Sequence, residues 1–149
     1  EKGEKHKGLK KIMPDLEEAE KQIKKALSDL DTMDYLYKGK KTDWVASAAF
    51  YAMYHSLLAI LYKIGYESRN QECTINAIEY FTQTGILKID RDYIKLIRSL
   101  QETEDDAKKV REDMQYSSKT QLENNRCILI MNNAKKFVEK IRSVLEGLK

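Results

Sequence analysis

The sequence predicts an all-α fold, an up-and-down four-helix bundle with one short additional helix. Apolar residues recur at spacings of three and four along most of the chain, the mark of helices that each bury one stripe. The single proline, Pro14, lies near the start, so nothing after it forbids long helices. No stretch alternates apolar and polar residues with period two, so no sheet is expected. A chain of 149 residues fits one domain able to bury one core, and a 42% hydrophobic content excludes wholesale disorder.

Residues 1–13 read as a basic, flexible N-terminal tail containing Lys2, Lys5, Lys7, Lys10 and Lys11, and residues 14–149 as a single bundle domain. Pro14 suits the first helical position, with Asp15, Glu17 and Glu18 at the positive end of the dipole. Leu16, Ala19, Ile23, Ala26, Leu27, Leu30, Met33 and Tyr37 then form the apolar stripe of the first helix. Gly39, Lys40 and Lys41 make a short connection. Thr42 or Asp43 caps a second helix that runs to Ile64, is apolar nearly all round, and is therefore expected to pack on several sides.

Gly65 stops that helix, and a polar loop over residues 67–72 leads to the short helix carrying Cys73, Ile75, Ala77, Ile78, Tyr80 and Phe81. After Gly85, Tyr93, Ile94, Leu96, Ile97 and Leu100 mark another amphipathic helix with a charged continuation through Ala107 and Val110. Residues 116–119 break the pattern. Thr120 and Glu123 form a capping box for the last helix, whose stripe includes Cys127, Met131, Ala134, Phe137, Val138, Ile141 and Val144.

The net charge of +3 and pI of about 8.7 permit contact with a nucleic-acid backbone without demanding it. Cys73 and Cys127 match no metal-ligand spacing and read as reduced, mostly buried thiols of an intracellular protein, with a disulfide as the alternative. No apolar run approaches the roughly 20 residues that span a bilayer, and the charged start lacks a signal-peptide core, so no membrane partner is expected and the cytoplasm is the expected location. There is no phosphate-cradling glycine loop, zinc spacing or nucleophile elbow, and no cofactor or metal is implied.

Two clusters could carry chemistry. Ser47, Tyr51, His55 and Tyr62 share roughly one face of the second helix, with Tyr54 beside them. His55 is one of two histidines and could exchange protons near neutral pH; the plain alternative is a core histidine bonded to a neighbouring helix. The second cluster is Arg111-Glu112-Asp113-Met114-Gln115-Tyr116. Its plain alternative is an exposed helix end whose arginine pairs with a nearby carboxylate.

The run Ala48-Ala49-Phe50-Tyr51-Ala52-Met53-Tyr54-His55, followed by Gly65-Tyr66-Glu67, resembles the second helix and turn of HEPN domains. It is most like the branch whose helix reads Ala-x-Tyr-Tyr-Ala-Met-Phe-His. With the Arg111–Tyr116 segment and the last helix in the family's order, the resemblance covers nearly all the chain from Pro14 onward. It implies a homodimer with a cleft that contains Arg111. The ligand would be a nucleotide or RNA phosphate, contacted by Arg111, Asp113, Tyr116 and Tyr51, and the partner a small nucleotidyltransferase in a toxin–antitoxin-like system.

The resemblance implies two alternatives as well: a metal-independent endoribonuclease, or a dimeric interaction module without chemistry. In the nuclease, Arg111 would hold the scissile phosphate and a histidine would exchange protons with the ribose hydroxyl. Many members place that histidine after the arginine with four to six residues intervening. Here Tyr116 stands after four intervening residues and no histidine follows, which leaves Arg111, Tyr116 and His55 as the candidate catalytic residues.

Overall fold

The computed structural model describes residues 8–113 and 124–148, except the side chains of 104–113. The order is β1 (Leu9–Lys11), α1 (Leu16–Lys38), a 3-10 turn (Thr42–Trp44), α2 (Val45–Ile64), β2 (Tyr66–Ser68), α3 (Gln71–Gln83), α4 (Arg91–Asp113) and α5 (Asn124–Gly147). The described residues form an all-α helical bundle of four long helices and the short α3. The capping box at Thr120 and Glu123 lies outside the described residues.

The central helix is α2, which packs against α1 most extensively and also against α3, α4 and α5. Its buried residues occupy every side: Val45, Ala46, Ala49, Phe50, Ala52 and Met53, then 56–61 without interruption. Alanines at 46, 49, 52 and 59 bring neighbouring backbones close, while Phe50, Met53, Leu57, Ile60 and Leu61 supply bulk to the core. Each such large side chain contributes about 1.5–3 kcal/mol on burial. The only buried hydroxyl of this helix among the described residues, on Ser56, donates to the Met53 carbonyl at 2.6 Å. Thr42–Ile64 is in fact long and apolar enough to cross a membrane, contrary to the reading of the sequence, but 67% of its most apolar window is buried inside the bundle. Burial on several sides requires the same composition as a span.

Two helix boundaries differ from expectation, and a third is closed by an unusual residue. The first helix begins at Leu16, because the Asp15 side chain caps it by accepting from Glu18 N at 3.0 Å; Pro14 precedes the cap. At its other end Gly39 is not left-handed. Lys40 is, with φ 60°. Bonds from Lys41 N to Leu36 O (2.8 Å) and from Lys40 N to Tyr37 O (3.0 Å) complete a Schellman cap with a lysine where glycine is favoured. Neither Thr42 nor Asp43 caps α2, which is entered through the 3-10 turn.

A small sheet also forms. Leu9, Lys10 and Lys11 pair antiparallel with Ser68, Glu67 and Tyr66, so order begins before Pro14, and part of the expected 67–72 loop is strand. Strands of three residues are too short for alternation to register. The sheet is locked to α2 at Gly65, whose φ of 101° ends the helix and whose carbonyl accepts from Ile12 N at 2.9 Å. A Cβ there would stand 2.9 Å from the Ile12 carbonyl oxygen.

Asn70 caps α3 by accepting from Cys73 N at 2.7 Å. Arg98 of α4 then ties the short helix down, reaching Asn76 Oδ1 at 2.7 Å, Glu79 Oε1 at 2.9 Å and Glu72 Oε2 at 3.4 Å. Cys73 and Cys127 are both free thiols, the second fully buried.

Candidate functional site

The α1–α2 interface produces the site through a register that the apolar stripe of α1 alone does not reveal. Gln22, Ala26 and Met33 are buried along one seam of α1, and Asp29 falls into that seam at the 22–26–29–33 spacing. Its carboxylate meets His55 of α2, with Oδ2 2.7 Å from Nδ1. The side chains retain 21% (His55) and 27% (Asp29) of their exposure, so the pair is half-buried. An ionised carboxylate only accepts hydrogen bonds. The contact therefore places the proton on Nδ1 and leaves Nε2 of a neutral imidazole as the acceptor. Among the described residues, no hydrogen bond to Nε2 is present.

Aromatic rings collar the pair. The Tyr51 and Tyr54 centroids lie 6.1 and 5.7 Å from the His55 ring. Tyr54 stacks on buried Phe50 at 6.1 Å with planes 7° apart, whereas Tyr51 stands at 76° to Phe50 and 80° to Tyr54. Tyr51 is exposed at 38%, and its hydroxyl accepts from Gln71 Nε2 of α3 at 3.3 Å. Burial pushes the Tyr54 phenol above its ordinary value, partly offset by a hydrogen bond with Thr74. Tyr62, further along the same helix, is also raised, first by burial and then by Glu67, Glu18 and Asp15.

A second feature lies across α2. Met53, Leu100 and Thr103 of α4, and Arg126 and Ile130 of α5 line a groove in which Arg126 Nη2 donates to Thr103 Oγ1 at 3.3 Å. At about 100° per residue, the two steps from Met53 to His55 turn α2 so that the two positions lie about 160° apart. His55 faces α1, and α4 packs on the far side.

The structure thus brings His55 and Tyr51 together with Asp29, Tyr54 and Gln71. Arg111 and Asp113 lie in the last described turn of α4, their side chains outside the description, and Tyr116 falls outside the described residues. Arg111 follows Leu100 by eleven positions, about 16 Å further along α4. Asp29 is the residue that motif reading missed, and its place in the seam was the available signal. Among the described residues, no three His, Cys, Asp or Glu side chains converge as metal ligands.

The family model of the HEPN domain matches residues 19–144, from the first turn of α1 to the last turns of α5. The chain belongs to the HEPN domain family. No curated protein matches it. The HEPN match takes in both features, the Asp29–His55 pair and the α4 turn bearing Arg111.

Proposed function

We propose that this HEPN protein binds nucleotide or RNA phosphate through a homodimeric cleft containing Arg111, and acts as the partner of a small nucleotidyltransferase in a toxin–antitoxin-like system. Arg111 forks two N–H groups onto a phosphate, Asp113 orients the guanidinium, and Tyr116 donates a further hydrogen bond. The observation that supports this most is that Arg111 falls within a HEPN match spanning residues 19–144.

The Asp29–His55 pair favours a second reading, a ribonuclease in which His55 Nε2 replaces the motif histidine. His55 faces α1 while α4 packs on the far side of α2, so cleavage needs one cleft to close around both His55 and Arg111, within one chain or across a dimer. Binding without cleavage needs no such closure and is the preferred reading.

Fluorescence anisotropy with a short labelled single-stranded RNA tests it. Arg111→Ala weakens binding by about tenfold or more, since charge-assisted bonds contribute roughly 1.5–3 kcal/mol. The melting temperature stays nearly unchanged. Equal affinity of variant and parent overturns the reading.

A further inference from the structure

The α1–α2 face carries groups with unused binding capacity on the side of α2 away from the groove. His55 commits Nδ1 to Asp29 and presents Nε2 from a side chain that is 21% exposed. The Tyr51 ring stands across the Phe50–Tyr54 stack, and the residue is 38% exposed. Gln71 uses one amide N–H on the Tyr51 hydroxyl and keeps a second N–H and a carbonyl oxygen. The Asp29 carboxylate is engaged by the Nδ1–H of a neutral His55. Such a surface suits a neutral ring with polar edges and a hydroxyl group better than a bare phosphate.

We infer that Tyr51, Gln71 and His55 bind a nucleoside moiety, with Asp29 as the positioning residue for His55. The base stacks on the Tyr51 ring, Gln71 reads its edge through one donor and one acceptor, and a ribose hydroxyl donates to His55 Nε2. Asp29 holds the imidazole in the tautomer that can accept that bond. The inference rests on the reading of the ligand as a ribonucleotide, and adds a nucleoside subsite separate from the phosphate contact at Arg111. A free nucleoside and a terminal nucleoside of an RNA strand share this chemistry.

Adenosine is the probe, because it carries no phosphate and so does not depend on Arg111. Titration of the full chain followed by NMR is expected to show saturable binding, with the shifts centred on Tyr51, His55 and Gln71. Tyr51→Ala weakens it at least tenfold, whereas Tyr51→Phe, which keeps the ring, stays within about threefold. 2′-Deoxyadenosine binds several-fold more weakly, as does adenosine to Asp29→Asn, in which the proton moves away from Nδ1. Arg111→Ala binds adenosine like the parent. A short RNA that displaces adenosine identifies the strand terminus as the natural occupant; one that does not identifies the free nucleoside.

Absence of saturable adenosine binding, or binding that survives Tyr51→Ala, overturns the inference. The two proposals fail separately: loss of RNA affinity in Arg111→Ala without any adenosine binding removes only the nucleoside subsite. Adenosine binding lost in Tyr51→Ala, with RNA affinity unchanged in Arg111→Ala, removes only the phosphate site.

Discussion

Asp29 Oδ2 lies 2.7 Å from His55 Nδ1, joining the middle of α1 to the middle of α2 at the edge of the core. The carboxylate sets the tautomer of the imidazole and fixes the ring beside Tyr51 and Tyr54. Asp29→Asn preserves the shape and removes the charge. The contact is partly solvated, so the expected loss is about 1 kcal/mol, or roughly 2–4 °C in Tm. Nitrogen-detected NMR should show Nδ1 protonated in the parent and a mixture of tautomers in the variant. An unchanged tautomer would show that Asp29 does not set it.

Gly65 joins three elements at once. It ends α2 at φ 101°, accepts from Ile12 and leaves no room for a Cβ, which would sit 2.9 Å from the Ile12 carbonyl oxygen. Gly65→Ala is expected to cost about 1–3 kcal/mol and to release β1. Hydrogen exchange at Ile12, whose N–H is bonded to the Gly65 carbonyl, should accelerate along with the fall in Tm; a variant as stable as the parent, with the strand still protected, would contradict this role.

Lys40 offers the opposite case. A lysine held at φ 60° in the Schellman cap of α1 carries a left-handed cost of roughly 1 kcal/mol that glycine avoids. Lys40→Gly should therefore raise the Tm by a few degrees, whereas Gly39→Ala should not lower it by a comparable amount. A destabilised Lys40→Gly would mean that the lysine side chain contributes more than its backbone costs.

Stability should decline in alkali. Burial raises the Cys127 thiol above 9.0 and the Tyr54 and Tyr62 phenols above 10.0. In each case the fold holds the neutral form, and the unfolded chain gives up its proton first. Unfolding then releases protons, so the contribution is complete below the ordinary values and is lost as pH rises through them toward the raised ones. Melting curves should be flat to about pH 9 and fall above it. At neutral pH a thiol reagent should modify Cys73 promptly and Cys127 only on unfolding, since the latter is fully buried. Equal rates at both thiols would refute that burial.

The residues that made the bundle readable are those whose signal is periodic and local: the α1 stripe, the all-round apolarity of α2 and the Gly65 stop. What the sequence hid depends on contacts between distant segments. The 9–11 and 66–68 strands are three residues each, too short for a period-two pattern, and they exist because Gly65 and Ile12 meet. Asp29 sits among several acidic residues of α1, including Asp31 and Asp34, and only the register of α1 on α2 selects it as the partner of His55. Asp34 instead meets Lys135 of α5 at 3.2 Å. His55 was visible as a candidate, but the direction it faces was not, because a helix that is apolar all round does not announce which neighbour lies on which side.

The most direct test of binding without cleavage is to incubate the purified protein with end-labelled single-stranded RNA in the presence of a chelator, then analyse the RNA for cyclic-phosphate ends. The RNA should be retained and intact, with retention lost in Arg111→Ala. Cyclic-phosphate products that disappear in His55→Ala would contradict it and establish the ribonuclease.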